Sequence, residues 1–210
     1  MSLQLIAGVI AILVFTQSCG WRNWSLDQTR RVEPVYDKKS GRLEQLKYDS
    51  DGDGRFDTFS YMDGTTILRI EIDQDGDGKI DRWEYYSAGK VVERVGISRA
   101  HNGVEDAWQY FDRSGEITRV ETASTRGKGG PLIDRIEYYE HGVLTHAEED
   151  TDHDGAIDKW ETYEKDRLAV VAFDDLHRGV PTRKLLYGAD GSVRVEADQP
   201  SGQQTTRRSR

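Results

Sequence analysis

The chain has 210 residues, a formal net charge of −9 and 36% hydrophobic residues, with 21 glycines and only 4 prolines. This small apolar share argues against a large α/β enzyme core, and the presence of a single long apolar run excludes a polytopic membrane protein. The negative charge argues against a nucleic-acid partner, and a single cysteine, Cys19, excludes an intrachain disulfide.

The first predicted element is an export signal. Residues 3–15 form a nearly unbroken apolar run. As a helix this run would span about 20 Å, which is less than the roughly 30 Å of a bilayer core. An apolar run of this length is typical of a secretory signal peptide. We therefore predict a signal peptide over residues 1–18.

Residues 14–19, with the sequence VFTQSC, resemble the lipobox of bacterial lipoproteins, although Thr16 and Gln17 depart from its usual residues. The resemblance implies that Cys19 becomes the lipidated N-terminus. Gly20 is similar to the pattern that is sorted to the outer membrane, which implies an outer membrane lipoprotein facing the periplasm or the cell surface. Residues 19–34 would then be the lipidated cysteine and a polar tether, with the membrane as partner through the lipid. An ordinary signal peptide with an incidental cysteine is the alternative.

The rest of the chain is a repeat. An aromatic or apolar column recurs every 24 to 28 residues, at Phe59, Trp83, Trp108, Ile136 and Trp160, and Lys184 occupies the sixth position of the same spacing. In each unit a short aromatic strand leads to a turn and then to a β-branched strand, such as residues 67–72 or 168–173. We predict an all-β fold, a repetitive antiparallel β-hairpin meander of about six units over residues 35–197. Residues 198–210 are predicted to be a disordered tail.

Two aromatic columns are expected on opposite faces of the strands. Trp83 and Trp108 belong to one column, and Tyr86 and Phe111, three residues further on, belong to the other. We expect both columns to stack repeat upon repeat. The alternative is that they are sugar-stacking platforms, which would make the chain a carbohydrate- or cell-wall-binding module. The hairpin period resembles MORN-like and YD-type repeats.

Three loops between hairpins carry aspartates in a fixed order. Residues 73–84 and 150–161 fit the pattern D-x-[DN]-x-[DN]-G-x5-E in full, and residues 49–60 fit it up to the ninth position but end in Ser60. These loops resemble the calcium loop of EF-hands. Because strands flank them, the context is more similar to the Asp-rich loops of thrombospondin type-three repeats and integrin-type propellers. The predicted metal ligands are Asp49, Asp51, Asp53, Arg55, Asp57, Asp73, Asp75, Asp77, Lys79, Asp81, Glu84, Asp150, Asp152, Asp154, Ala156, Asp158 and Glu161.

The spacing matches what calcium requires, which is six to eight oxygen ligands. Positions 1, 3 and 5 supply carboxylates, position 9 a direct or water-mediated contact, and position 12 a bidentate glutamate. Position 7 supplies a backbone carbonyl, so Arg55, Lys79 and Ala156 need no acidic side chain. Magnesium suits these loops less well, and zinc lacks its preferred ligands. We predict Ca²⁺ in the two complete loops and a third ion in the first loop.

The sequence carries no motif for a nucleophile or a dinucleotide. We therefore predict that the chain is not an enzyme and has a structural or binding role, with an unknown protein or a cell-envelope glycan as partner. Three other loop frames, residues 98–109, 126–131 and 174–179, keep too few carboxylates for a cation. We expect ordinary loops there.

Overall fold

The structure, a computed structural model, describes residues 31–87, 90–127 and 130–197. These residues form a single antiparallel sheet of fourteen strands and contain no α-helix, which confirms the predicted all-β hairpin meander. The apolar segment, Cys19 and the tail 198–210 lie outside the described residues. Within the described part, no helix is long and apolar enough to cross a membrane.

The strands are short, except for one central pair. They are β1 (Val32–Tyr36), β2 (Leu43–Tyr48), β3 (Thr58–Asp63), β4 (Thr66–Ile72), β5 (Arg82–Ser87), β6 (Val91–Ile97), β7 (Ala107–Phe111), β8 (Ile117–Gly127), β9 (Gly130–Glu140), β10 (Val143–Glu149), β11 (Lys159–Glu164), β12 (Arg167–Phe173), β13 (Arg183–Tyr187) and β14 (Val193–Ala197).

Each strand pairs with its neighbours in sequence, so the order in the sheet is the order in the chain. The fourteen strands make seven hairpins, one more than predicted, because the segment before the first complete unit pairs as β1 and β2. Strand β1 begins at Val32, inside the segment predicted to be a tether. Tight turns lie along one edge of the sheet and longer loops along the opposite edge.

Most hairpins contain a register shift close to their turn. In the β5–β6 hairpin Tyr85 pairs with Arg94 and Tyr86 with Val92, so that Glu93 is the extra residue of a bulge. The equivalent shifts occur in the β3–β4, β7–β8 and β11–β12 hairpins. Such bulges increase the local twist of a sheet, and their recurrence shows that the repeat extends to backbone conformation.

The fourth junction on the loop edge is not the ordinary loop that we expected at residues 126–131. Strands β8 and β9 are each eleven residues long and continue to pair from Ala123 with Ile133 to Gly127 with Gly130. This segment has no carboxylates, and its returning strand includes the apolar residues Leu132 and Ile133. It extends the hairpin instead of forming a loop. Residues 128–129, at its tip, lie outside the described residues.

The sheet is a single layer, so its buried hydrophobic residues are few and mostly small. They are Trp83, Val95, Ala107, Ala123, Ala147, Val171 and Ala172. Burial therefore comes from neighbouring side chains on the same face of the sheet. An isolated hairpin does not bury enough surface to be stable, so each unit depends on its neighbours.

Guanidinium groups cover several aromatic rings of the sheet. Arginine Cζ atoms lie 4.0–4.2 Å from the ring centroids in three successive hairpins, in the pairs Arg69–Tyr61, Arg94–Tyr85 and Arg119–Tyr110. Among the described residues, the rings of Tyr138 and His146 are in contact, with their centroids 5.4 Å apart. Tyr61, Tyr85 and Tyr110 belong to neither of the two predicted aromatic columns, so the cation–π contacts form a separate row along the sheet.

Candidate metal centre

Five loops along one edge of the sheet share the same length and frame. We name them loop A (49–57), loop B (73–81), loop C (98–106), loop D (150–158) and loop E (174–182), and number their nine residues as positions 1 to 9. Each loop joins a returning strand to the first strand of the next hairpin. Loops A, B and D are the predicted calcium loops, whereas loops C and E are the frames that we expected to be ordinary.

All five loops have the same unusual backbone conformation. Position 6 is glycine throughout, and its φ angle lies between 75° and 96°. Position 4 also has positive φ, with glycine in loops A and B and with His101, His153 and His177 in loops C, D and E. Positive φ is costly for most residues other than glycine, so the sharp turn in the middle of the loop is built into the fold. Glycine at position 6 of loops C and E was the sequence signal for this common frame.

The carboxylate at position 1 holds the turn together. In loop B, Asp73 accepts hydrogen bonds from the backbone N–H groups of Gly76 at 2.8 Å and Gly78 at 2.9 Å. In loop D, Asp150 accepts one from the N–H of Gly155 at 2.9 Å, and this aspartate is buried. These bonds satisfy backbone donors that would otherwise be unpaired within the turn.

Position 9 closes the loop on its own first residues. Asp81 accepts a hydrogen bond from the N–H of Gln74 at 2.9 Å, and Asp158 accepts one from the N–H of Thr151 at 3.0 Å. The Thr151 hydroxyl donates a second bond to Asp158 at 2.7 Å. Both ends of the loop are therefore fixed by aspartates that the sequence analysis predicted as ligands.

A backbone ladder links loop A to loop B, loop B to loop C, and loop D to loop E. The N–H of Asp73 donates to the carbonyl of Asp57 at 2.8 Å, so position 1 of loop B bonds to position 9 of loop A. The N–H of Ser98 bonds in the same way to Asp81, and that of Asp174 to Asp158, each at 2.8 Å. A change in one loop consequently acts directly on the backbone of its neighbour.

The aspartates at positions 1, 3 and 5 converge in two of the predicted calcium loops. In loop A the three carboxylates each place an oxygen within 4.8 Å of the other two, and the same holds for loop B. In loop D the grouping joins Asp152 and Asp154 with His177 of loop E. The sequence spacing therefore does bring most of the predicted carboxylates together.

Position 7 distinguishes these loops from one another. The guanidinium of Arg55 bonds to Asp53 at 2.8 Å, and Lys79 Nζ bonds to Asp77 at 2.8 Å. These side-chain hydrogen bonds lower the pKa of the Asp53 and Asp77 carboxyls, which favours their ionised forms. Loop D has Ala156 at this position and so lacks the corresponding basic side chain.

The glutamates predicted at position 12 do not join the loop carboxylates. Glu84 lies in β5, where it bonds to Arg82 and accepts a hydrogen bond from the Tyr86 hydroxyl at 2.8 Å. Glu161 lies in β11 and bonds to Arg135, Lys159 and the Tyr163 hydroxyl. Neither is among the groups of converging ligand atoms in the described residues. The strand begins at position 10, so a residue at position 12 is carried away from the loop.

Loop C compensates its charges with its own side chains. Arg99 bonds to the buried Asp106 at 3.3 Å and to the carbonyl of Ala123 at 2.9 Å. Glu105 accepts hydrogen bonds from the Tyr85 hydroxyl and the Trp108 indole N–H, over the space left by Gly96. Sequence analysis missed these anchors because their partners lie up to 24 residues away.

The donor atoms of loops A, B and D suit a hard cation. Positions 1, 3, 5 and 9 offer carboxylate oxygens and position 7 a backbone carbonyl, which is the kind of oxygen set that calcium takes. Loop A has a serine hydroxyl, Ser50 Oγ, bonded to its position-9 residue Asp57 at 2.7 Å. The residues present therefore fit calcium in kind and number when water completes the shell.

No family model and no curated protein matches this chain. Several solved structures match part of it. Accessory secretory protein 1, 2 and 3 of Streptococcus pneumoniae matches with 15% identity over 56% of this chain and a TM-score of 0.37. The GtfA/B complex bound to UDP and GlcNAc matches with 14% identity over 50% and a TM-score of 0.37. TarM matches with 9% identity over 68% and a TM-score of 0.26. The chain covers 20%, 22% and 21% of their lengths, respectively.

One prediction is corrected, that the chain is not an enzyme, because it rested only on the absence of sequence motifs. Catalytic groups can be assembled from distant residues without leaving a local motif. The matches have TM-scores of 0.26 to 0.37 and assign no activity to this chain.

Proposed function

We propose that this chain is a calcium-binding lipoprotein, held to the outer membrane by a lipid on Cys19 and exposed outside the cytoplasm, with a structural or binding role. Loops A, B and D would each hold one calcium ion. The observation that supports the proposal most is the convergence of three carboxylates within 4.8 Å in loop A and again in loop B.

Repulsion between neighbouring carboxylates favours the binding of a cation to these loops. Loop D contains Asp150, Asp152, Asp154 and Asp158 and has no lysine or arginine. Carboxylates held this close repel one another, and a divalent ion converts that repulsion into attraction. Loops A and B reduce the repulsion in part through Arg55 and Lys79. We therefore expect loop D to bind calcium most tightly.

In this proposal, calcium has a structural role. The backbone ladder fixes position 1 of one loop to position 9 of the loop before it. An ion that rigidifies loop B would therefore also order the edge of loop A. The loop edge would become a stiff platform for a partner, which we propose to be a protein or a glycan of the cell envelope.

Calcium titration of the full-length protein in detergent tests the proposal. Isothermal calorimetry should give two or three sites. Extracellular calcium loops bind at about 10⁻⁴ to 10⁻³ M, so at about 1 mM calcium the tight end of this range stabilises the fold by about 1.4 kcal/mol per site. EGTA should lower the melting temperature by several degrees, and calcium should restore it better than magnesium does. Equal melting curves in calcium and EGTA would contradict the proposal.

A separate experiment tests the anchor. Expressed in a Gram-negative host, the protein should fractionate with membranes and incorporate labelled palmitate, whereas Cys19→Ser should do neither. Wild-type protein that is soluble and unlabelled in the periplasm would contradict the lipid anchor without affecting the calcium sites.

The carbohydrate-binding alternative receives little support from the sheet. Trp83 is buried, and the rings of Tyr61, Tyr85 and Tyr110 are each covered on one side by an arginine. Sugar platforms need an accessible aromatic face. This alternative stays an untested prediction. Titration of oligosaccharides with tryptophan fluorescence as the readout would test it.

A further inference from the structure

His101 brings a nitrogen ligand from loop C to the carboxylates of loop B. Its Nδ1 atom lies 3.1 Å from Asp81 Oδ1 and 3.3 Å from Asp75 Oδ2. The three ligand atoms all lie within 4.8 Å of one another. Nothing in the calcium pattern of loop B requires this histidine, because it belongs to a different loop and calcium takes oxygen ligands.

A hydrogen bond to one carboxylate oxygen of Asp81 fixes the orientation of its side chain. Its Oδ2 atom accepts the hydrogen bond from the N–H of Gln74 at 2.9 Å, which leaves Oδ1 directed at His101. The Asp81 side chain is only 3% exposed, whereas those of Asp75 and His101 are 43% and 62% exposed. One candidate ligand thus lies at the buried base of the cluster, and the other two lie at its exposed side.

The separations between ligand atoms match those around a small metal ion. Zinc and similar ions bind nitrogen and carboxylate oxygen at about 2.0–2.2 Å. Two ligand atoms 3.1–3.3 Å apart would then subtend an angle of about 95–105° at the ion, which lies between octahedral and tetrahedral values. We propose that Asp75, Asp81 and His101 form a site for a divalent transition metal of the zinc, cobalt or nickel class.

The chemistry of the ligands separates this site from the calcium loops. An imidazole with two carboxylates suits zinc, cobalt and nickel, whereas a set made of oxygens alone suits calcium and magnesium. Three protein ligands leave further coordination positions for water. The site shares Asp75 and Asp81 with loop B, so the two metals would compete there, but it does not depend on calcium binding elsewhere.

A looser copy of the arrangement occurs between loops D and E. His177 Nδ1 lies 3.8 Å from Asp152 Oδ2 and 3.9 Å from Asp154 Oδ2. All three residues are exposed, and none of the three is held at a buried position as Asp81 is. We expect this second cluster to bind the same class of metal more weakly.

Cobalt is the probe that tests the site, because its visible absorption reports the ligands. Cobalt should be titrated into the full-length protein in detergent, in a buffer that contains neither calcium nor EGTA. The ligand-field absorption bands should then saturate. His101→Gly should weaken the tighter cobalt site at least about tenfold. Glycine is the residue that loops A and B carry at this position with φ of 83° and 74°, so the variant keeps a backbone that the fold already accepts.

His141→Gly is the matched control. His141 also has positive φ, at 50°, but it lies at a tight turn and faces a single carboxylate, Glu116, at 3.7 Å. Its removal should leave the cobalt titration unchanged. Asp75→Asn is a second test variant and should weaken cobalt binding as His101→Gly does.

The outcomes separate this inference from the calcium proposal. Cobalt binding that His101→Gly does not change, or no cobalt binding at all, would overturn the transition-metal site and identify the cluster as an ion pair only. Calcium binding to loops A and D would be unaffected by that result. Conversely, cobalt binding that depends on His101 in a protein that binds no calcium would support this site and contradict the calcium proposal.

Discussion

Loop C and loop D join equivalent strands with the same nine-residue length and with positive φ at positions 4 and 6, yet they balance their charges differently. Loop C supplies Arg99, whose guanidinium bonds to Asp106 and to the carbonyl of Ala123 in β8. Loop D has four aspartates and neither lysine nor arginine. The comparison shows that one nine-residue frame accommodates either an internal arginine or four aspartates without a lysine or an arginine.

Loops A and B lie between these two cases. Each keeps three converging carboxylates and also pairs the one at position 5 with a basic residue at position 7. Both pairs are exposed, where ion pairs contribute little to stability. We therefore expect Arg55 and Lys79 to weaken calcium binding without replacing it.

The largest loss of stability from a single substitution is expected at Glu161. This substitution tests whether Glu161 acts with the carboxylates of loop D. Burial raises the pKa of this carboxyl, but hydrogen bonds from Lys159, Arg135 and Tyr163 outweigh burial and lower it from 4.5 to about 2. The stability gained from this ionised carboxylate is complete above about pH 4.5 and is lost as the pH falls towards 2. At about 1.4 kcal/mol per pKa unit, Glu161→Gln should lower the free energy of unfolding at pH 7 by about 3 kcal/mol in urea titrations.

Glu164→Gln is the control for this change, because Glu164 is an exposed glutamate of the same strand. It should alter stability by less than about 0.5 kcal/mol. Glu161→Gln should cost the same in calcium and in EGTA. A cost that appears only with calcium would return Glu161 to loop D as its twelfth-position ligand.

Arg99→Ala tests the internal cation of loop C. The change leaves the buried Asp106 without its ion pair and the Ala123 carbonyl without a donor. We expect a loss of about 2 kcal/mol, equal in calcium and in EGTA, by thermal unfolding. Arg113→Ala, at the exposed turn between β7 and β8, should have almost no effect. A loss at Arg99 that calcium rescues would mean that loop C also binds the ion.

Asp152→Asn tests the proposed calcium site of loop D, where no lysine or arginine balances the aspartates. The substitution removes one carboxylate from the proposed site, so the protein should lose about 1.4 kcal/mol in about 1 mM calcium and almost nothing in EGTA. Calorimetry should show one site fewer. Asp166→Asn is the matched control, since its φ of 61° suits asparagine and it lies at a tight turn. Equal losses with and without calcium would indicate that Asp152 only braces the turn.

The smallest effect is expected at Glu84, the predicted twelfth-position ligand of loop B. Because Glu84 contacts Arg82 and Tyr86, Glu84→Gln should change the calcium-dependent stabilisation by less than about 0.5 kcal/mol. Burial and the hydrogen bond to Glu84 raise the pKa of Tyr86 to about 12. The variant should lower this pKa in an ultraviolet titration. Loss of calcium binding would contradict the strand position of Glu84.

The all-β repeat was predictable because its signals are local. A turn residue, a β-branched strand and an aromatic column recur within each unit, and strands that follow one another in sequence pair in space. The carboxylates at positions 1, 3 and 5 were predictable for the same reason, since a turn of a few residues gathers them. The extension of β8 and β9 was missed because a basic, glycine-containing segment reads as a loop when its strand partner is unknown.

What the sequence could not show depends on contacts between units. Arg99 finds its partner carbonyl in the next hairpin, and His101 meets the carboxylates of the preceding loop. The position of Glu84 could not be read from the EF-hand spacing, because that spacing assumes a helix after the loop. A strand rises about 3.3 Å per residue, against 1.5 Å for a helix, and so carries position 12 away from the carboxylates of the loop.

The one-to-one order of strands in this sheet also determines how the protein would respond to tension. Among the described residues, each strand is hydrogen-bonded to the strands next to it in sequence. A force applied between the two ends would therefore peel one hairpin after another from an edge, in a series of small steps, instead of breaking a single cooperative core. Each step would return readily, because the strands that must find each other are close in sequence. The sheet would therefore lengthen in steps of about one hairpin each.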